Sequence, residues 1–314
     1  MKENNINRSE KGFIKEWRKN KWLFLMLLPG IACLVIFNYI PMAGLLIAFK
    51  NINYTKGIWG SDWVGFENFK FFLFSPDALT VTRNTLLYNI AFIGLGLVFA
   101  VTVAIALSEM TNKRTMKCYQ TVMFLPYFLS WITISYLVYA FLNPDYGFIN
   151  KVFLKNLGLT GLSWYTQPFY WPFILIGLNL WKFVGYNSVI YFAAITGMNR
   201  DYYEAAAIDG ATKWQQITKI TLPSLTPLMV VMTILAVGRI FNSDFGLFYQ
   251  TTMDSGPLYR ATNVLDTYIY RSLRVTGDLG MSSAAAFFQA VIGFICVMST
   301  NAAVRKIDPE KAMF

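Results

Sequence analysis

The sequence predicts an all-α, polytopic membrane protein with six transmembrane helices. Of the 314 residues, 55% are hydrophobic and only 14% are charged, whereas soluble domains carry about 25% charged residues. A membrane-spanning helix needs about 20 mainly apolar residues, and six stretches are long and apolar enough. They are residues 22–49, 85–108, 121–142, 171–195, 224–249 and 284–304.

The distribution of basic residues predicts how these spans are oriented. Sixteen of the 27 Lys and Arg residues lie in the two tails and in the second and fourth connections, and nine lie in the other three connections. Only Lys182 and Arg239 fall inside predicted spans. Because basic residues accumulate on the cytoplasmic side of membrane proteins, we expect both termini in the cytoplasm. An even number of spans independently requires both termini on one side.

The first two elements are a basic arm, residues 1–21, and a single anchor helix, residues 22–49. The arm carries seven basic residues around Phe13, Ile14 and Trp17, a pattern that favours binding to the anionic inner leaflet. The anchor is too long for the apolar region of a signal peptide, and no small-residue cleavage pattern follows it. We therefore expect it to be retained.

Histidine and several motifs that enzyme sites commonly use are missing. The sequence has no histidine, and Cys33, Cys118 and Cys296 are far apart, which argues against a zinc site, a disulfide framework or a histidine-activated nucleophile. No G-x-x-x-x-G-K-[ST] motif for nucleotide binding occurs. We expect no catalytic residue, metal or cofactor on this chain. The basic excess has a membrane explanation and predicts no nucleic acid partner.

The connection at residues 198–223 carries the most informative pattern. Residues 200–208 favour a short helix, and Asp209-Gly210 is a turn signal. A second helix begins with Thr212 and Gln215 in capping-box spacing. Apolar Trp214, Ile217 and Ile220 then follow at helical intervals, and Pro223 marks the return to the membrane. The pattern predicts a compact helix–turn–helix that docks against another protein.

The same connection resembles the EAA loop of binding-protein-dependent ABC importer permeases. The matching positions are Glu204, Ala205, Ala206, Gly210, Ile220, Leu222 and Pro223. Less specific segments are similar to the sugar-uptake branch of that family, which includes the maltose-type permeases. These are RNTL at 83–86, LP at 125–126, FLNPDYG at 141–147, NSDFGLFY at 242–249 and the ending 301–314. The resemblance thus covers residues 83–314.

The resemblance implies a type I importer half with a five-helix permease core, residues 83–314, preceded by one extra N-terminal helix. It implies assembly in the bacterial cytoplasmic membrane with a homologous second permease, two copies of a cytoplasmic ABC ATPase and an external solute-binding protein. ATP and Mg²⁺ would be bound by the ATPase. The EAA loop would carry closure of the ATPase to the membrane helices, so that an oligosaccharide enters the cytoplasm by alternating access.

Polar residues within the fourth and fifth spans are candidates for the substrate pathway. Lys182 lies on one helical stripe of the fourth span. Arg239, Asn242, Ser243, Gly246 and Gln250 form a second stripe on the fifth span, whereas Asp244 lies on another face, where it could meet a neighbouring helix. The pathway candidates are Asn179, Lys182, Tyr186, Arg239, Asn242, Ser243, Asp244, Phe245 and Tyr249.

Two interpretations of the intramembrane cations stay open. Lys182 and Arg239 either pair with Asp244, backbone carbonyls or the partner permease, or attract an acidic sugar, since an unpaired charge in a bilayer is costly. The aromatic external stretches 51–82 and 143–170 are likewise either docking loops for a binding protein or interfacial belts. A non-sugar ABC importer, a secondary sugar carrier and a membrane enzyme for lipid-linked sugars are the alternative functions.

Overall fold

A computed structural model describes residues 19–308, which are mainly helical, and the prediction of an all-α polytopic membrane protein is confirmed. Nearly all of the basic arm, including Phe13, Ile14 and Trp17, lies outside the described residues, as do the last six residues of the chain. The membrane-surface role of the arm therefore stays a prediction.

Ten helices of seven or more residues organise the described part of the chain. They are α1 Lys21–Leu34, α2 Glu67–Leu73, α3 Pro76–Ser108, α4 Lys113–Phe124, α5 Trp131–Leu142, α6 Trp171–Thr196, α7 Asp201–Ile208, α8 Leu222–Val237, α9 Leu265–Arg274 and α10 Leu279–Ile307. A π-helical segment, Val35–Tyr39, and a 3-10 segment, Ile40–Phe49, extend α1. Single helical turns lie at Gly57–Gly60, Lys213–Gln216 and Tyr259–Thr262. The short strands β1 (Lys50–Asn51) and β2 (Asp62–Trp63) pair antiparallel.

Five helical segments are long and apolar enough to cross a membrane, and a bent pair raises the number to six. The five are Lys21–Phe49, Pro76–Ser108, Pro168–Thr196, Lys213–Val237 and Leu279–Lys306. Each contains or overlaps one of the predicted spans. The bent pair falls at the remaining predicted span, residues 121–142.

The third predicted span is not one straight helix. Helix α4 passes into a 3-10 turn, Leu125–Phe128, and α5 then leaves at an angle of 98°. Pro126 cannot donate a backbone hydrogen bond inside a helix, and Leu129 has an extended backbone. The Ser130 hydroxyl accepts a hydrogen bond from the Thr133 amide at 3.2 Å, which starts α5 as a new helix. We call residues 124–131 the bend.

The fifth span is also broken, so the predicted stripe from Arg239 to Gln250 does not exist as one helical face. Helix α8 ends at Val237, the chain is irregular from 238 to 244, and a π-helical segment, Gly246–Gln250, follows. A side chain at Gly238 would collide with Val297 of α10, and the Asp244 carboxylate caps the new segment by accepting from the Gly246 amide at 3.0 Å. We call residues 238–245 the break.

The central core lies where α3 and α6 meet the broken span. Tyr88 of α3, Trp171 and Leu175 of α6, and Leu247 and Phe248 beyond the break are all buried in one cluster. Helix α1 has no buried residue, and the first span packs on α10 through its 3-10 extension, where Phe49 contacts Phe287 with ring centroids 5.3 Å apart. Trp131, at the end of the bend, packs against the same central core as Leu247 and Phe248, which follow the break.

Candidate functional site

The connection at 198–223 folds as the sequence predicts. Helix α7 covers Asp201–Ile208, and Gly210 has φ +79°, a backbone conformation that favours glycine. The capping box is formed: the Thr212 hydroxyl accepts from the Gln215 amide at 3.3 Å, and the Gln215 side chain accepts from the Thr212 amide at 2.7 Å. The turn and the next helix are therefore held by local hydrogen bonds.

One hydrogen bond within this connection and one ion pair to the end of α3 hold it in place. The hydroxyls of Tyr203 and Thr221 share a hydrogen bond of 2.9 Å, which joins α7 to the segment that leads into α8. The Lys213 ammonium lies 3.0 Å from the Glu109 carboxylate at the end of α3. Because that ion pair is largely exposed, it contributes little stability, and the hydroxyl contact is the firmer anchor.

The outward surface of the connection is exposed and mixed in character. The Glu204 side chain is exposed, and its carboxylate has no hydrogen-bond or ion-pair partner between residues 19 and 308. Ile208 and Trp214 are 86% and 71% exposed. Ile217 and Ile220 are half-buried, so the expected apolar stripe is split: its two isoleucines pack inward and its tryptophan faces outward.

Lys182 is almost fully buried on α6, and its ammonium donates to backbone carbonyls of the bend. The acceptors are Tyr127 O at 3.1 Å, Pro126 O at 3.4 Å and Leu129 O. The same ammonium lies 5.1 Å from the centroid of the Trp131 ring. Of the partners expected for this cation, backbone carbonyls are the ones it contacts directly.

Asp244 meets a neighbouring helix, as its position in the sequence predicts. Its carboxylate accepts from the Trp131 indole at 2.6 Å and from the backbone amides of Gly246 and Leu247. Since Trp131 also carries the Lys182 ammonium on its ring, Lys182 and Asp244 lie near each other with the indole as their shared contact.

The break is fixed by polar groups that sequence analysis did not identify. Asn89 of α3 donates to the carbonyls of Ile240 and Asn242 at 2.9 and 3.0 Å. The half-buried Asp266 carboxylate accepts from the Ser243 amide at 2.6 Å. The Ser243 hydroxyl is buried and has no hydrogen-bond partner in the described structure. No sequence pattern could have found these contacts, because they join residues more than 20 positions apart.

Two aromatic groups lie beside these polar contacts. Phe245 and Tyr249 stack with centroids 4.7 Å apart, and Tyr270 of α9 packs on both. Tyr186 stacks on Tyr127 of the bend at 4.2 Å, with their ring planes 7° apart. The aromatic residues among the predicted pathway residues thus fall into two separate clusters. Each cluster also contains a tyrosine that was not predicted, Tyr270 in the first and Tyr127 in the second.

The remaining predicted pathway residues make no contact with the Lys182 ammonium in the part of the chain that the structure describes. Asn179 lines a cleft of about 240 Å³ between α3, α6 and α8, with Asn187 and Thr233. Asn242 is exposed at the break. Arg239 is also exposed, and among residues 19–308 nothing forms a hydrogen bond or an ion pair with its guanidinium. The two intramembrane cations therefore differ: Lys182 is engaged and Arg239 is free.

Comparison with known proteins places these features in a family. Residues 93–311 match the family described as "Binding-protein-dependent transport system inner membrane component". The chain is 33% identical over 300 residues to Protein LplB of Bacillus subtilis (strain 168), covering 93% of this chain and 91% of that protein. It is 31% identical over 311 residues to the polygalacturonan/rhamnogalacturonan transport system permease protein YteP of the same organism, covering 95% and 94%.

Solved structures agree with the sequence relatives. A bacterial ABC transporter involved in the import of the acidic polysaccharide alginate contains a chain that matches with a TM-score of 0.86 and 33% identity, over 94% of this chain and 99% of that one. A second structure, the alginate transporter in complex with an alginate pentasaccharide-bound periplasmic protein, matches with a TM-score of 0.84 at the same identity, over 93% and 97%.

Proposed function

The chain belongs to the inner membrane components of binding-protein-dependent transport systems, and from that premise we propose that it conducts an acidic oligosaccharide into the cytoplasm. It is a multi-pass permease, a transport subunit of an ABC importer. In our proposal an external solute-binding protein delivers the sugar, and a homologous second permease completes the pathway. Two copies of a cytoplasmic ATPase bind ATP and Mg²⁺, and both termini of this chain face the cytoplasm.

The geometry of the 198–223 connection is the observation that carries the proposal. A coupling element has to be stiff, anchored at both ends and exposed at its tip. The capping box and Gly210 turn supply stiffness, the Tyr203–Thr221 hydrogen bond joins α7 to the segment that leads into α8, and the free Glu204 carboxylate is available to a partner. These features fit a loop that receives movement from an ATPase and passes it to α8.

The acidic character of the substrate is supported by the relatives and by Arg239. YteP is named for polygalacturonan and rhamnogalacturonan, and the matching structures are transporters of alginate, described as an acidic polysaccharide. An exposed guanidinium beside exposed Asn242 in a broken span can pair with a sugar carboxylate, for which arginine is well suited. Lys182 is excluded from this role because its ammonium is buried on the bend carbonyls.

The test is uptake by the assembled transporter in vesicles, using a uronate oligosaccharide and a neutral oligosaccharide of equal length. We expect ATP-dependent uptake of the uronate sugar, roughly tenfold less in R239Q because a charge-assisted hydrogen bond is lost. As a matched control, R305Q changes an exposed arginine at the end of α10 and should transport at the parent rate. Uptake without ATP would identify a secondary carrier, and equal loss for both sugars in R239Q would refute recognition of the acid.

A further inference from the structure

We propose that Lys182, Trp131 and Asp244 act together as positioning residues that lock the bend of the third span to the break of the fifth. The three side chains come from three different membrane segments, α6, the start of α5 and the break. We call them the locking triad. Their role is distinct from sugar recognition, because Lys182 is only 6% exposed. The locking triad depends on the proposed transport function only in the experiments that measure uptake.

Lys182 fixes the bend to α6. Carbonyl groups at the end of a helix have no intrahelical donor, and the bend brings several such carbonyls together. The Lys182 ammonium donates to those of Pro126, Tyr127 and Leu129. Close packing supports this contact, because Gly185, one turn further along α6, lies so near the Met123 carbonyl that a side chain at 185 would overlap it.

Trp131 links the bend to the break. Its ring lies under the Lys182 ammonium on one side, an arrangement that is attractive between a cation and an indole. Trp131 also packs against Gly246, where a Cβ atom would lie 2.6 Å from Trp131 Cγ. Trp131 therefore contacts both Lys182 of α6 and the Gly246–Gln250 segment.

Asp244 is the third member of the locking triad, and its negative charge balances the positive charge of Lys182. The indole donates to its carboxylate at 2.6 Å, and the other carboxylate oxygen accepts from Gly246 and Leu247. A carboxylate and an ammonium on one indole compensate each other where an isolated charge would be costly. If the bend moves relative to residues 238–245, either the three side chains move together or their contacts are lost.

Distance measurement across the bend tests the first half of this proposal without any sugar. Spin labels replace exposed Tyr119 on α4 and exposed Tyr136 on α5, after Cys33, Cys118 and Cys296 are changed to serine, in the assembled transporter. We expect one narrow distance for the parent and a broadened or shifted distribution for K182M, whose side chain has similar length but no donor. An unchanged distribution in K182M would overturn the proposal, whatever substrate the transporter carries.

A double-mutant cycle tests the second half. W131F keeps an aromatic ring but removes the indole donor, and D244A removes the acceptor; each should slow uptake roughly tenfold, as expected for a lost hydrogen bond to a charged group. If one bond is responsible, the double variant is no slower than D244A. W181F makes the same chemical change at an exposed tryptophan on α6 and should transport at the parent rate.

The outcomes of the cycle separate the two proposals. The locking triad would be overturned if the double variant were slower by the product of the two single-variant factors. Uptake by W131F at the parent rate would overturn it as well. If the parent fails to carry uronate oligosaccharides, the substrate proposal fails, while the distance measurement still decides the triad.

Discussion

Replacing Gly185 by alanine tests how tightly α6 packs on the bend. A Cβ atom at 185 would overlap the Met123 carbonyl and lie 3.0 Å from the Phe124 amide nitrogen, both backbone atoms that cannot turn aside. To reach ordinary van der Waals contact, α6 and the bend must separate by about 1 Å or more. That displacement would lengthen the 3.1 Å bond from Lys182 to the Tyr127 carbonyl beyond the range of a hydrogen bond.

The expected cost of G185A follows from these contacts. Overpacking a well-packed site costs about 1–3 kcal/mol, and the weakened lysine contacts add to it. Gly177 on the same helix is the matched control, because a Cβ there meets nothing within 4 Å, and glycine to alanine inside a helix stabilises by up to about 1 kcal/mol. Thermal unfolding of the purified protein in detergent should therefore begin earlier for G185A than for the parent and no earlier for G177A. Equal unfolding of the two variants would refute the close approach.

Three further predictions concern the 198–223 connection and the break. G210P should abolish uptake while the protein remains in the membrane, because proline cannot adopt φ +79°; uptake by G210P at the parent rate would contradict the coupling role. T212A should cost about 1 kcal/mol of local stability, which amide exchange would show as a faster rate at Gln215. Burial raises the pKa of the Asp266 carboxyl above its usual value, with the nearby Asp244 acting in the same direction. The ionised form therefore costs stability at neutral pH, and that cost disappears as the pH falls through the raised pKa. Thermal stability of the parent should rise on acidification from neutral pH towards about pH 4, relative to D266N, and parallel profiles would contradict the assignment.

Local patterns in the sequence predicted the parts of this protein that local interactions determine. The six apolar stretches have the length that a bilayer demands, and the capping box and Gly210 turn depend on residues within three positions of one another. For the same reason the helix before Gly210, the turn at Gly210 and the capping box after it were predicted correctly. The structure of these elements needs little information from the rest of the chain.

The bend and the break were not predicted because hydropathy does not register them. Residues 121–142 and 224–249 are both mainly apolar, and a span that turns or unwinds inside protein keeps the same composition as a straight one. Pro126 and Gly238 were the available signals, but proline and glycine are also tolerated in continuous membrane helices. What decides the outcome is distant: Lys182 supplies donors to the bend, and Asn89 and Asp266 supply partners to the break.

The partner of Lys182 shows the same limit. Sequence analysis left open whether this cation meets an acid, backbone carbonyls or substrate, because a helical stripe gives direction but not distance. The contacts favour the structural interpretation for Lys182. Arg239 is exposed, so it is the intramembrane cation to which the sugar-binding interpretation still applies.

The π-helical segment Ile217–Thr221, between the capped turn and α8, has a mechanical consequence. Pro223 follows it and has no amide hydrogen to give to the preceding turn, and a π turn holds more residues than an α turn. Since successive residues of an α-helix are about 100° apart, tightening this segment by one residue would rotate α8 by that angle relative to the connection. A change of one residue in the helical register of this junction would therefore twist the span that leads to the break.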